Sequence, residues 1–85
     1  RFGVTAHPNP FNASTVIDYT LVESGPVQLV VLDALGRRVA VLIDEARSAG
    51  TGRVLFDASS LASGVYHVLL ATPGMTAAAV LLLAK

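Results

Sequence analysis

The side chains able to do chemistry are few in this chain and widely dispersed. Six carboxylates, Asp18, Glu23, Asp33, Asp44, Glu45 and Asp57, fall mostly one per segment, beside turns or on outward strand positions. Paired-carboxylate hydrolysis needs two such groups held a few ångströms apart across a cleft, and a domain this small has little room for one. Asp44 and Glu45 are adjacent but fall short of the six to eight oxygens that calcium takes. His7 and His67 are far apart, and neither has a second imidazole, a cysteine or a spaced carboxylate nearby in sequence, so both read as packing or surface residues. Ser59, Ser60 and Ser63 lack the G-x-S-x-G elbow of an activated serine. No glycine-rich phosphate loop opens a helix. No nucleophile, base and orienting group can be assembled from these residues, so catalysis is not expected of the chain and no metal or cofactor is implied.

The elements that would hold such residues are bounded by composition. Eighty-five residues make one domain, and a chain of this size buries only roughly 60 to 65% of its unfolded surface, so every strand must contribute to one core. The chain opens on Arg1, with no basic stretch and apolar run of a signal peptide, and reads as a piece of something longer. Hydrophobic residues make up 53% and charged ones 14%, with a mean hydropathy of +0.63, which excludes a disordered tail. The longest apolar run, Ala77 to Ala84, is far shorter than the ~20 residues of a spanning helix. Six basic residues balance six acidic ones and are scattered, so no footprint for nucleic acid or anionic lipid forms. Cysteine is absent.

Glycines at 25, 36, 50 and 52, 64 and 74 recur at intervals suited to short strands joined by turns. Ser14 to Val22 alternates in the two-residue period of a half-buried strand, with Ile17, Tyr19 and Leu21 on one face. Val27, Leu29 and Val31 alternate with Gln28, Val30 and Leu32, and the second face is apolar enough to predict a central strand covered on both sides. Asp33 to Arg37 is a tight turn, which Asp33 opens and Gly36 completes with a positive φ. Arg38 to Ile43 returns as a strand, Asp44 to Gly52 is expected to be the longest loop, and Arg53 to Asp57 is a short strand. In Asp57 to Gly64, Leu61 is expected to plug the end of the fold. Val65 to Ala71 is strongly β-forming. Met75 to Ala84 is rich in the helix formers alanine and leucine, but the Pro73-Gly74 turn before it predicts a strand antiparallel to Val65–Ala71. The fold class is all-β: an immunoglobulin-like antiparallel sandwich of about seven short strands. The five aromatics, Phe2, Phe11, Tyr19, Phe56 and Tyr66, fall mainly on inward positions, leaving no evident stacking platform for sugars.

Four motifs, in order, give the chain a family resemblance. Pro8, Asn9, Pro10, Phe11 and Asn12, followed by Ser14, Thr15 and an alternating strand, resemble the P-N-P-F-N opening of type IX secretion C-terminal sorting domains. Each X-Pro unit keeps its preceding residue extended, so the segment is a rigid entry bend with Phe11 expected to be buried. L-V-V-L-D-A-L-G-R-R-V-A-V-L resembles the family's central hairpin, with Asp33, Gly36 and Arg37 at its turn. F-D-A-S-S-L-A-S-G-V-Y resembles the next hallmark and carries Asp57, Leu61, Gly64 and Tyr66. V-L-L-L-A-K resembles the lysine-tipped terminal strand. The immunoglobulin-like domain of flagellar hook-capping proteins shares this style. His7 in place of an aromatic, Ala13 within the usual N-P-S, and Ala77 to Ala79 before the last strand depart from the family pattern.

The resemblance implies that residues 1–85 are a single C-terminal sorting domain cut from a longer secreted protein. It implies a cargo that transits the periplasm and is released or anchored at the cell surface, with the outer-membrane secretion machinery and a sortase-like peptidase as partners. A carbohydrate-binding or cell-attachment module and an inert immunoglobulin-like spacer are the competing readings. A terminal strand at a sheet edge can be captured by another protein's sheet, and Val80, Leu81, Leu82, Leu83 and Lys85 would be the residues presented. The same uncharged strand predicts self-association through its edge.

Overall fold

The computed structural model describes residues 1–85, in seven strands and no helix. The strands are β1 (Gly3–His7), β2 (Ser14–Leu21), β3 (Gly25–Leu32), β4 (Arg38–Arg47), β5 (Gly50–Asp57), β6 (Gly64–Ala71) and β7 (Thr76–Leu83). A three-stranded antiparallel sheet, β1-β2-β5, faces a four-stranded one, β4-β3-β6-β7. This is the immunoglobulin-like sandwich, with the fourth strand paired to the third instead of the fifth. Tyr66 supports that reading: its hydroxyl donates to the Ala62 carbonyl at 2.7 Å, the tyrosine corner of such sandwiches.

Alternation built the core as the sequence predicts. Ile17, Tyr19 and Leu21 of β2 meet Val27, Leu29 and Val31 of β3, Val68 and Leu70 of β6, and Leu81 and Leu83 of β7. Phe11 and Phe56 are tilted 58° to one another with centroids 6.3 Å apart, close to the end of the sandwich. The closing segment is a strand, paired antiparallel with β6 from Ala71↔Thr76 to Gly64↔Leu83. Tertiary pairing there overrides the helix preference of its alanines and leucines.

Three expectations are corrected. Asp44 to Gly52 is not the longest loop: β4 continues to Arg47, β5 begins at Gly50, and only Ser48 and Ala49 connect them across to the other sheet. The polar composition misleads because β4 is an edge strand, where charge facing water blunts unwanted pairing. Second, β3 is central within its sheet but has no layer over its outer face; Val30 is buried yet stands outside the core cluster, covered by Val41 and Leu69 on the neighbouring strands. Third, the fully buried residue at the Phe11–Phe56 end is Ala58, whose N–H donates to the Ala13 carbonyl at 2.7 Å, while Leu61 is only partly buried. Ala13 holds φ at 70°, a conformation that costs a residue with a Cβ roughly 1 kcal/mol.

The Asp33 turn forms as expected. Its Oδ1 accepts from the backbone N–H groups of Leu35 and Arg37, each at 2.9 Å, its Oδ2 accepts from Arg37 Nε at 2.8 Å, and Gly36 has φ of 82°.

Gly52 lies opposite Tyr19, and a Cβ there would overlap the buried Tyr19 ring. Gly52→Ala is expected to lower stability by about 1–3 kcal/mol, the range for forcing extra volume into a packed site. A thermal melt with an unchanged midpoint would reject this close approach.

Candidate functional site

The terminal strand divides its side chains by the strand period. Leu81 and Leu83 point inward and are 0% and 3% exposed, while Val80 and Leu82 point outward and are 48% and 40% exposed. Of the five terminal residues expected to be presented, two are therefore core. Burial of each leucine contributes about 2 kcal/mol, so the strand cannot show them without leaving the sandwich. Lys85 is tied down at the tip: its Nζ donates to the Ser59 carbonyl at 2.6 Å and its backbone N–H to Ser63 Oγ at 3.0 Å.

Backbone groups along the open edge of β7 are occupied as well. The Asn9 side chain lies against it like a peptide group, with Nδ2 donating to the Val80 carbonyl at 2.6 Å and Oδ1 accepting from Leu82 N–H at 2.8 Å. Phe11 continues the pairing in parallel: its N–H donates to the Leu82 carbonyl and its carbonyl accepts from Ala84 N–H, both at 2.9 Å. The segment is held from behind by Phe11, 3% exposed among core residues, and by the buried Thr15 hydroxyl, which donates to the Pro8 carbonyl at 2.7 Å. The peptide bonds preceding Pro8 and Pro10 are cis. Asn12 and Pro10 face solvent. The sequence places Asn9 within a rigid entry bend; its partners lie more than seventy positions along the chain, and no local signal announces them.

The two outer faces differ in character. On the three-stranded sheet, Thr5, Asp18 and Arg53 form one cross-strand row. Asp18 accepts from Arg53 Nε at 2.8 Å and from His7 Nε2 at 2.7 Å, so His7, read as isolated, has a carboxylate partner brought to it by β1–β2 pairing. On the four-stranded sheet the corresponding rows are Asp44, Gln28, Ala71 and Thr76, then Val41, Val30, Leu69 and Ala78, then Arg38, Leu32, His67 and Val80, then Val65 and Leu82. Val41, Val65, Val80 and Leu82 are all exposed. The remaining acidic residues serve turns and edges; Asp57 Oδ1 accepts from Ser59 N–H at 2.9 Å, and Asp44 and Glu45 lie on β4. Phe11, Tyr19, Phe56 and Tyr66 are buried and Phe2 packs against the core, which removes the aromatic platform a sugar-binding face would use.

Residues 5–80 match the family described as the secretion system C-terminal sorting domain. The chain belongs to this family. Its members are sorting signals for type IX secretion, so this domain is a non-catalytic address, recognised by the type IX machinery and directing export across the outer membrane to the cell surface or beyond. No curated protein matches the chain. The sorting-domain match takes in the P-N-P-F-N opening, the Asp33 turn and the Tyr66 corner and ends at Val80, so Leu81 to Lys85 lie past the matched span.

Three aspartates of this sorting domain are held below their ordinary pKa of 3.8: Asp18 by the Arg53 guanidinium and then His7, Asp33 chiefly by the Arg37 backbone N–H, and Asp57 chiefly by that of Ser59. A carboxylate with a depressed folded-state pKa contributes stability above its unfolded value and loses it as pH falls through the folded one. The melting temperature is therefore expected to be level near neutrality and to fall below about pH 4. Asp18→Asn should flatten part of that fall. A midpoint that rises on acidification would contradict these pairings.

Proposed function

We propose that residues 1–85 are the C-terminal sorting domain of a longer exported protein, and that the type IX machinery reads the terminal segment Val80 to Lys85. The observation that carries this reading is the two-faced terminal strand. Leu81 and Leu83 lock it into the core, whereas Val80 and Leu82 stand outward on the outer face of the four-stranded sheet. A folded domain can thus offer a receptor two side chains of its last strand together with Val65 and His67 beside them, without unfolding. Lys85 adds a charge at the tip, close to Asp57 and held on the Ser59 carbonyl. Pro8 to Asn12, Asp33, Gly36, Arg37, Asp57, Leu61, Gly64 and Tyr66 act as framework: they build the turns and the corner that hold this strand in place. Passage through the periplasm, followed by removal of the domain by a sortase-like peptidase and anchoring of the cargo, is the route this reading implies.

A reporter fused upstream of the domain tests it. Deleting Val80 to Lys85 is expected to abolish export, and continued secretion of the truncated fusion would rule the reading out. Val80→Ser with Leu82→Ser separates reading from folding, because both side chains already face water. The pair is expected to leave the melting midpoint close to that of the parent while reducing secretion. Full secretion by this folded variant would contradict the role given to the outward residues.

A further inference from the structure

Two properties of β7 conflict. It is an edge strand, uncharged from Thr76 to Ala84, and such an edge is a template for pairing with another chain. Natural sheets protect edges of this kind with charge, proline, a bulge or a covering segment. β4, at the other edge of the same sheet, carries Arg38, Asp44, Glu45 and Arg47; β7 carries no charge at all. What β7 has instead is Asn9 and Phe11. Backbone groups of alternate residues point to opposite sides of a strand, and from Val80 onward it is Val80, Leu82 and Ala84 whose groups point away from β6. The four bonds that Asn9 and Phe11 make fall on these three residues alone.

We propose that Pro8–Phe11 is an edge guard, which closes the last residues of the terminal strand against strand addition and keeps a second copy of this chain from pairing there. The guard is a side-chain amide followed by a backbone segment, an arrangement that proline on either side of Asn9 makes necessary, since neither Pro8 nor Pro10 has an N–H to offer. Asn9 supplies from its side chain one donor and one acceptor at the spacing of a strand residue. Phe11, anchored in the core against Phe56, fixes the register. Self-association through β7, which sequence alone predicts for the intact domain, becomes a property of the opened one. This inference concerns the isolated domain and does not depend on which residues the secretion machinery reads.

Sedimentation velocity on the purified domain tests it. The native chain is expected to remain monomeric at millimolar concentration. Asn9→Ala removes both side-chain bonds and is expected to give a concentration-dependent dimer while retaining the β-sheet circular dichroism spectrum. Adding Val80→Pro to that variant should restore the monomer. The Val80 N–H lies on the open edge and has no partner in the folded domain, so proline there removes a donor needed only for strand addition. If Asn9→Ala does not fold, Asn9→Ser, which is uncharged and too short to bond both Val80 and Leu82, is measured in its place with the same expectation. A native chain that dimerises with Asn9 in place, a folded Asn9 variant that stays monomeric, or a dimer that Val80→Pro leaves intact would each overturn the guard.

Discussion

Bonding of the terminal strand on both of its edges is the constraint on which the sandwich depends. β6 satisfies one edge over the whole strand, and Asn9 with Phe11 satisfies the other over its last residues. This joins the beginning of the chain to its end, so that Phe11, Thr15 and the Pro8 carbonyl are placed by the same contact that holds Leu81 and Leu83 in the core. Each such bond contributes a net of about 1 kcal/mol. A domain of this size has little stability to spare, and a strand held from one side only would fray first.

The two outer faces divide the remaining work. Asp18 bonds to both His7 of β1 and Arg53 of β5 and so ties the outer face of the three-stranded sheet together across its strands. The four-stranded sheet carries an apolar row, Val41, Val30, Leu69 and Ala78, on its outer face, flanked by Arg38 and His67 on one side and Asp44 and Gln28 on the other, beside the outward residues of β7. A sorting address needs a surface that a receptor can find on a folded cargo and an edge that does not aggregate beforehand. In the reading proposed, outward side chains supply the first and backbone occupancy the second, so the two demands do not compete for the same atoms.

Much of this was legible in the sequence, and for identifiable reasons. Alternation in Ser14–Leu21 and Val27–Val31 reports burial directly, because side chains of a strand point alternately to its two faces. The Asp33 and Gly36 turn follows from local chemistry, and Pro73-Gly74 outweighed the helix propensity of Thr76–Leu83. The polar residues of β4 misled because an edge strand facing water needs no apolar period. Asn9 was singled out as part of a motif, yet its partners Val80 and Leu82 arise from the sandwich closing on itself, as do the pairs of His7 and Arg53 with Asp18. Such contacts belong to topology and leave no local trace. The family motifs were visible because their turns are local; which terminal side chains are inward required the register with β6.

Amide hydrogen exchange, read residue by residue along β7, tests the closure most directly. A strand bonded on both edges protects consecutive amides, so Leu81, Leu82, Leu83 and Ala84 are all expected to exchange slowly, while Ala78 and Val80, which face the unbonded part of the edge, exchange fast. Protection that alternates through Ala84, with Leu82 and Ala84 as fast as Val80, would mean an open edge and would contradict the account.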